Sequence, residues 1–323
     1  MDTAIKNGQL FGWNNTEDGA NTIILPFMWD VTASYKDGSS KALSSILEAS
    51  YYLDDCLDPT RSIKHKPFTC PPDPLIEEQN KSLRKKALRC IKALELGKKA
   101  NQDMLDDINH QSELVFKMMT EKCKALLSKQ KKVLLVGGEH SVSYALLDAL
   151  NNVEKKPFSL LHLDAHLDCR DAYQGFRYSH ASIIRKAHSV SKVSSISSVS
   201  IRDYCLSEYQ FSQNQARKHH LFFQDMLDKR LFEGACWKAC VDEIIQSLDK
   251  RIYISLDVDC LDASIVPSTG TPVSSGLTIN QLHYLLGQLK LSKKEIVGAD
   301  LVETGPNEGG LSARLLLQLL DLF

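Results

Sequence analysis

Short apolar segments alternate with longer amphipathic segments along most of this chain, and this alternation limits the possible folds more than any other feature. The apolar segments predict strands at 22–27, 132–138, 158–164, 193–201, 220–224, 251–257 and 295–301. Several are continuously apolar, which is typical of strands covered on both faces of a parallel sheet. The amphipathic segments predict helices at 41–55, 76–99, 101–130, 141–151, 206–218, 231–249, 279–290 and 310–322. This order predicts an α/β fold with helices on both faces of a mostly parallel central sheet.

Two stretches interrupt the alternation. Residues 59–75 contain five prolines, which indicates a surface excursion rather than a linker between domains. The serine-rich segment 193–201 alternates Ser with Val and Ile, so we interpret it as a strand and not as a disordered tract. Because no change in composition marks a boundary, we expect a single domain over residues 1–323.

The charge balance excludes some classes of partner. The net charge of -1 provides no electrostatic reason to expect nucleic acid or an anionic membrane surface. No apolar run is long enough to span a bilayer, and no secretory signal is visible. Nine scattered cysteines complete no zinc motif, so Cys236 and Cys240 are expected to be buried thiols on a helix. Reduced thiols without a signal predict a cytoplasmic protein.

Four predicted strands end in side chains that can bind metals or move protons. These side chains are Glu139 and His140, then Asp164, His166 and Asp168, then Asp257 and Asp259, and finally Glu303. Side chains two residues apart on a strand share a face, so each alternating set can converge on one point. Ligands bind outside the carboxyl ends of strands in open α/β sheets. The sequence therefore predicts a functional site at this edge of the sheet.

Six of these side chains form a set that requires a cation, because crowded carboxylates repel one another. The set is His140, Asp164, His166, Asp168, Asp257 and Asp259. Oxygen-rich ligands with some nitrogen suit Mn²⁺ better than structural zinc, and six ligands are too many for one tetrahedral ion. Two metal ions that share bridging carboxylates usually serve hydrolysis. His180 in a loop and Glu303 at a strand end are candidates to transfer a proton and to hold a substrate.

At this point the chain resembles a known family. VGGEHSVSYALL, LLHLDAHLDCRD, YSHASIIRKA, YISLDVDCLDASIVPSTGTP and VGADLVETGP are similar, in order and spacing, to signatures of the ureohydrolase family of arginases and agmatinases. SYKDGSSKALSSILEAS also resembles an N-terminal family segment, and the similarity runs from about residue 22 to the C-terminus. The segments DCRDAYQG (168–175) and YSHASIIRKA (178–187) look closer to agmatinase-type members than to arginases. The resemblance implies a three-layer α/β/α fold and two Mn²⁺ per chain.

The resemblance also implies roles for individual residues. His140 and Asp168 would bind one ion and His166 and Asp259 the other, with Asp164 and Asp257 bridging both. His180 matches the proton-shuttle histidine of the family. Glu303 matches the glutamate that grips the substrate guanidinium, and its two oxygens suit that planar cation.

Three residues bear on the rest of the substrate. Arg170 stands where arginases commonly have Asn, so Arg170 and Arg185 are candidates to bind a substrate carboxylate. Arg170 could equally pair with Asp171 or another nearby acid. Glu308 could hold a substrate ammonium or be a solvated loop carboxylate.

The leading expectation is conversion of agmatine to putrescine and urea. The alternatives are formimidoylglutamate hydrolysis with formamide release, hydrolysis of arginine or guanidinobutyrate, and a catalytically idle regulatory member of the family. The expected partner is a small guanidino or formimino substrate, and we also expect a homo-oligomer.

Overall fold

The computed structural model describes residues 4–57 and 66–323, and within these residues the strands form one eight-stranded sheet. In chain order the strands are β1 (Thr22–Phe27), β2 (Phe68–Thr69), β3 (Lys132–Gly137), β4 (Phe158–Leu163), β5 (Val193–Ile201), β6 (His219–Phe223), β7 (Arg251–Asp257) and β8 (Glu295–Val302). Their order across the sheet is β2-β1-β3-β8-β7-β4-β5-β6, and every neighbouring pair is parallel. The prediction of a parallel α/β sheet is confirmed.

Ten α-helices of the described residues cover this sheet. They are α1 (Ala42–Ser50), α2 (Pro74–Glu95), α3 (Gln102–Ser128), α4 (Ser143–Val153), α5 (Ile183–Ser189), α6 (Leu206–Asn214), α7 (Gln224–Phe232), α8 (Trp237–Gln246), α9 (Ile279–Leu291) and α10 (Gly309–Leu320). Side chains of α2, α3, α4 and α5 share one apolar core with the sheet. Side chains of α1, α8, α9 and α10 share a second core with it.

The two cores follow from the period of the strands, since successive side chains of a strand point to opposite faces. In β3, Val133 and Leu135 belong to the first core, whereas Leu134 and Val136 belong to the second. Both faces are therefore apolar, which explains the continuous apolar runs in the sequence. The helices above and below complete the expected three-layer arrangement.

The seven predicted strands agree with the structure to within one residue at each end. The predicted helix over 231–249 is wrong, because α7 and α8 divide this region. Gly234, with φ of 96°, lies just beyond the end of α7 and ends that helix. The short strand β2, the helix α5 and most of α7 were not predicted. The prediction of two buried thiols on one helix is wrong for Cys236, which is exposed before the first turn of α8, whereas Cys240 is buried.

Residues 59–65 of the proline-rich stretch 59–75 lie outside the described part of the chain. Its later residues are not a simple surface excursion. Phe68 and Thr69 pair with β1 at the edge of the sheet. Pro74 then opens α2, whose first turn is capped by the side chain of Asp73. None of the helices described in residues 4–57 and 66–323 combines the length and apolarity needed to cross a membrane.

The topology brings the four polar strand ends together. β3, β8, β7 and β4 are consecutive neighbours at the centre of the sheet. These are the strands whose carboxyl ends lead to His140, Glu303, Asp257 and Asp164. Parallel strands place their carboxyl ends at one edge, so residues far apart in the sequence meet there.

Candidate metal centre and active-site cavity

A row of alternating side chains leaves the carboxyl end of β4 and forms the base of the site. The row consists of His162, Asp164, His166 and Asp168. Asp164 is fully buried, and Asp168 is nearly so. Asp168 has a left-handed backbone with φ of 49°, and its carbonyl oxygen accepts the N–H groups of two residues at the start of α5. Backbone strain of this kind is characteristic of functional sites.

His140 faces three carboxylates from two strands. Its Nδ1 lies 2.8 Å from the Oδ2 atom of Asp164, 3.2 Å from that of Asp168 and 3.3 Å from that of Asp257. This buried Nδ1 nevertheless makes no hydrogen bond of normal geometry. A metal ion between the nitrogen and the oxygens would supply the missing partner.

The other ring nitrogen shows why Nδ1 is free to act as a ligand. His140 Nε2 lies 2.9 Å from the hydroxyl of Ser255, and that hydroxyl donates to a carboxylate oxygen of Asp300 at 2.9 Å. Because the hydroxyl proton is used on Asp300, Ser255 accepts the Nε2–H of His140. In the neutral ring that a metal ion requires, the lone pair is then on Nδ1, on the side of the carboxylates. Metal-binding histidines are usually oriented by such a partner on the second nitrogen.

A second group lies beside the first. His166 Nδ1 is 3.1 Å from Asp259 Oδ2 and 3.3 Å from Asp164 Oδ1. Asp164 therefore presents one oxygen to each group, as a bridging carboxylate does. Asp257 presents Oδ2 to His140, while its Oδ1 accepts the backbone N–H of Asp259. Within the described residues, the six predicted ligand side chains thus lie together in two adjacent groups.

The electrostatics of these groups favour a bound cation. Burial, together with the charge of Asp164, raises the pKa of Asp168 to about 6. Burial and the charges of Asp259 and Asp164 raise the pKa of Asp257 well above its usual value. Carboxylates under such mutual repulsion are stabilised by a positive ion. The donors fit a divalent metal with mixed oxygen and nitrogen ligands.

A cavity of about 390 Å³ opens beside the two groups, a size that suits a small molecule. His166, Asp168 and His180 are among the residues that line it. The ring nitrogens of His180 lie 3.4 Å from the hydroxyls of Thr32 and Ser34. Burial lowers the pKa of His180 to about 3, so the ring is neutral at pH 7.

Glu303 is buried directly after β8. Its Oε1 accepts the backbone N–H of His140 at 2.9 Å, and its carbonyl oxygen accepts the hydroxyl of Thr269 at 2.8 Å. Its backbone is left-handed, with φ of 59°. A Cβ atom on Gly270 would come within 2.7 Å of Glu303 Oε2, so the absence of a side chain there leaves room for the carboxylate. Burial and the charge of Glu139 raise the pKa of Glu303 well above its usual value.

The predicted tail-binding residues occupy different surroundings. Arg170 lines the cavity, but its guanidinium lies 3.4 Å from Glu208 and 4.8 Å above the ring of Tyr173. Its acidic partner is therefore Glu208 and not Asp171. Arg185 is outside the cavity lining and stacks on Phe211 at 3.9 Å.

Glu308 is a buried loop support and not a solvated carboxylate. Its Oε1 accepts the backbone N–H of Ser268 at 2.7 Å, and its Oε2 is hydrogen-bonded to the hydroxyl of the same serine. The residue is 4% exposed and outside the cavity lining. Its carboxylate therefore holds the segment that leads to Gly270.

Sequence reasoning missed two residues of this region. His162 lies 2.8 Å from Asp164 through Nε2 and is fully buried. It belongs to the same alternating row, and that spacing was the signal that could have identified it. Asp203 lines the cavity with a largely exposed carboxylate, and its Oδ2 is 3.8 Å from His166 Nε2. No local pattern distinguishes Asp203 in the sequence. Its place beside His166 comes from an isolated parallel backbone pairing between these two residues, which are far apart in the chain.

Comparison with known proteins agrees with this geometry. The family model described as "Arginase family" matches residues 20–321. The chain belongs to the arginase family. Members of this family are hydrolases that act on the C–N bonds of linear amidines and guanidines, so the predicted family and enzyme class are confirmed.

Individual relatives are more distant. An N(1)-aminopropylagmatine ureohydrolase of Thermus thermophilus is 29% identical over 305 residues, which cover 92% of this chain and 87% of that protein. The agmatinase of Halalkalibacterium halodurans is 31% identical over 182 residues, or 56% of this chain and 58% of that protein. The solved agmatine ureohydrolase of Thermoplasma volcanium has a TM-score of 0.69 at 22% identity, with 98% of this chain and 94% of that chain covered. This structural likeness shows the arginase-like fold.

Proposed function

We propose that this arginase-family chain is a binuclear Mn²⁺-dependent hydrolase that converts agmatine to putrescine and urea. The observation that carries the proposal is the pair of adjacent groups that share Asp164, with Nδ1 of His140 within 3.3 Å of three carboxylates. The names of its relatives, agmatinase and N(1)-aminopropylagmatine ureohydrolase, support a guanidino-alkylamine substrate.

The metal assignment uses the two groups as they stand. His140, Asp168 and Asp257 would hold one ion, and His166 and Asp259 would hold the other. Asp164 faces both groups and would contribute to both ions. The bridging role of Asp257 rests on the family resemblance, because in this structure its second oxygen is bonded to the N–H of Asp259. Two bound divalent ions would lower the pKa of a water between them and so make a nucleophile available at neutral pH.

Glu303 is the proposed guanidinium anchor. Its Oε1 is fixed by the His140 N–H, and the space above Gly270 is left for its Oε2. A carboxylate held in this way can accept two hydrogen bonds from a planar guanidinium and orient its carbon toward the metal groups. The positive substrate would also favour the ionised form of Glu303, whose pKa burial raises.

His180 is the proposed proton carrier. It lines the cavity beside Asp168, and hydroxyls flank both ring nitrogens at 3.4 Å. Hydrolysis breaks the bond between the guanidinium carbon and the alkyl nitrogen, and the departing amine takes up a proton. A neutral imidazole with hydroxyl neighbours can pass such a proton inward from solvent.

The cavity rim favours a cationic substrate tail. Arg170 is paired with Glu208 and covered by Tyr173, so its charge is largely satisfied within the protein. Asp203 adds a carboxylate that is 65% exposed, beside Tyr204. Carboxylates and aromatic rings both attract an ammonium group. This composition suits the amine end of agmatine or its aminopropyl derivative.

A carboxylate-bearing substrate is the second candidate, because Arg170 does line the cavity. A substrate such as guanidinobutyrate or formimidoylglutamate would have to compete with Glu208 for this guanidinium. We therefore rank it below agmatine.

Product analysis tests the proposal. Mn²⁺-loaded protein is incubated separately with agmatine, N(1)-aminopropylagmatine, arginine, guanidinobutyrate and formimidoylglutamate, and urea and formamide are measured. We expect urea from the amine-tailed compounds. Urea only from carboxylate-tailed compounds, or formamide, would reverse the ranking. Absence of both products with two Mn²⁺ bound would favour the idle regulatory alternative.

A variant of the cavity lining separates recognition of the substrate's amine end from metal binding. Asp203→Asn should raise KM for agmatine while the Mn²⁺ content stays at the wild-type level, since Asp203 is outside both metal groups. Three further expectations belong to this proposal and remain predictions: a homo-oligomer, a cytoplasmic location and a single catalytic domain over 1–323.

A further inference from the structure

A chain of buried hydrogen-bonding side chains crosses three strands and ends at Asp164. It starts at His188 in α5, whose Nε2 is 3.3 Å from Nδ1 of His219 in β6. His219 Nε2 is 2.8 Å from the hydroxyl of Ser198 in β5, and this hydroxyl is 3.0 Å from Nδ1 of His162 in β4. His162 Nε2 is 2.8 Å from Asp164 Oδ2. His162, Ser198 and His219 are nearly or fully buried, and the proposed catalytic steps use none of them.

The far end of the chain sets the direction of its hydrogen bonds. Burial lowers the pKa of His188 to about 4 and holds the pKa of His219 well below its usual value. Both rings are therefore neutral at pH 7, and each has one N–H. His188 Nδ1 is buried without a partner, and a bare acceptor is tolerated better there than a bare donor. The proton of His188 is thus on Nε2, where it is donated to His219 Nδ1.

Each later link follows from the previous one. With Nδ1 accepting, His219 carries its proton on Nε2 and donates it to Ser198. The hydroxyl of Ser198 then donates to His162 Nδ1, which leaves the His162 proton on Nε2. That proton is donated to Asp164, whose carboxylate can only accept. The direction of donation deduced from His188 agrees with the direction that Asp164 requires, because a carboxylate must receive the last proton. Every proton of these hydrogen-bonding side chains therefore has an acceptor.

We propose that His188, His219 and Ser198 are positioning residues that fix the Nε2–H tautomer of His162 and thereby the orientation of the Asp164 carboxylate. Asp164 is the residue that presents one oxygen to each metal group. On the other side of the site, Ser255 and Asp300 hold His140 in the same manner. His162 pairs in register with both Ser198 and Ser255, so one polar row across the sheet supports both sides of the centre.

This inference rests on the proposed metal site, and the first experiment separates the two. Mn²⁺ alone is titrated into metal-free protein by calorimetry, with wild type, Ser198→Ala and Ser197→Ala compared. Ser197 is the matched control, because it is equally buried on the same strand but is bonded to Ser247, outside this chain. Losing a direct partner of a metal ligand usually costs roughly 10- to 100-fold in affinity. Because Ser198 acts on Asp164 through His162, we expect Ser198→Ala to weaken Mn²⁺ binding by about 10-fold, the lower end of that range. Ser197→Ala should bind as wild type.

The outcomes have distinct meanings. If wild type takes up no Mn²⁺, the metal proposal itself fails. If wild type binds two ions and the two variants bind equally well or equally poorly, the positioning role is refuted and only packing remains.

A second pair of variants and a spectrum keep the test independent of Ser198. His219→Gln keeps an amide N–H near the position of Nε2 and should retain most of the Mn²⁺ affinity, whereas His219→Leu should lose it to the same extent as Ser198→Ala. The ¹⁵N spectrum of histidine-labelled, metal-free wild type should show His162 as the neutral Nε2–H tautomer. A doubly protonated or Nδ1–H ring at His162, or equal affinity in the two His219 variants, would overturn the proposal.

Discussion

Gly270→Ala is expected to damage catalysis without damaging the fold. The new Cβ would lie 2.7 Å from Glu303 Oε2 and 3.5 Å from the carbon of the same carboxylate. The nearest atom of any other residue is the Lys36 carbonyl oxygen, at an ordinary contact distance of 3.8 Å. Gly270 has no left-handed φ that would strain an alanine. The carboxylate is the end of a flexible side chain, so it can move aside by roughly 0.7 Å to reach ordinary contact distance. The cost of this change is therefore expected in the position of Glu303 and not in stability.

A displacement of this size has a predictable effect on rate. Misplacing a group that orients the substrate by about 1 Å can reduce turnover about 10²-fold, which corresponds to roughly 2.7 kcal/mol in the activation free energy. We expect kcat/KM for the best substrate to fall by about this factor in Gly270→Ala. The Tm and the Mn²⁺ content should remain close to wild type, and both are measured on the same preparation as the kinetics.

The controls decide whether Glu303 is the cause. Gly287→Ala in α9, where an added Cβ meets no atom within 4 Å, should leave activity unchanged. A double-mutant cycle with Glu303→Gln should show that Gly270→Ala adds little once the carboxylate is gone. Full activity in Gly270→Ala, or a loss of activity matched by a large drop in Tm, would refute the reasoning.

Three further predictions follow from the site and its surroundings. Asp257→Ala should lower the Mn²⁺ content of the protein. It should also reduce the stabilisation of the folded state by bound metal, which is about 2.7 kcal/mol when the free metal concentration is 100 times the Kd. Unchanged metal content by elemental analysis would contradict the role of Asp257 as a ligand. His180→Asn should keep its metal and slow turnover by roughly 10²–10⁴-fold, and near-normal turnover would remove His180 from proton transfer. Burial and the charges of Lys218 and Arg185 lower the pKa of His188 from 6.5 to about 4. Between pH 6.5 and about pH 4, only the unfolded state therefore binds this proton. As the pH falls through this range, the free energy of unfolding of the metal-free protein should decrease by up to about 3 kcal/mol. His188→Gln should lose less stability over that range in urea unfolding, and an identical pH dependence would contradict the assignment.

The residues proposed as metal ligands could be identified from the local sequence pattern. Asp164, His166 and Asp168 alternate after an apolar strand, and Asp257 and Asp259 do the same. Since the carboxyl ends of parallel strands share an edge, their convergence followed from the fold class alone.

The surroundings of these ligands could not be predicted in the same way. Glu208 reaches Arg170 from α6, and Gly270 approaches Glu303 from a distant loop. Such contacts depend on how loops and helices pack, and no spacing in the sequence encodes them. The same is true of the hydroxyl of Ser198, which was recognised only as part of a serine-rich strand.

The position of β8 in the sheet has a consequence for how the protein is made. Among the strands of the described residues it comes last in chain order, yet it lies between β3 and β7 at the centre of the sheet. His140 and Glu303, joined by a hydrogen bond, are 163 residues apart. Contacts of such long sequence separation form slowly, so a nascent chain would remain without this central strand until residues 295–302 have been synthesised. Because β8 lies between β3 and β7, which lead to proposed metal ligands, the rate of Mn²⁺ uptake during refolding should report the rate at which β8 docks.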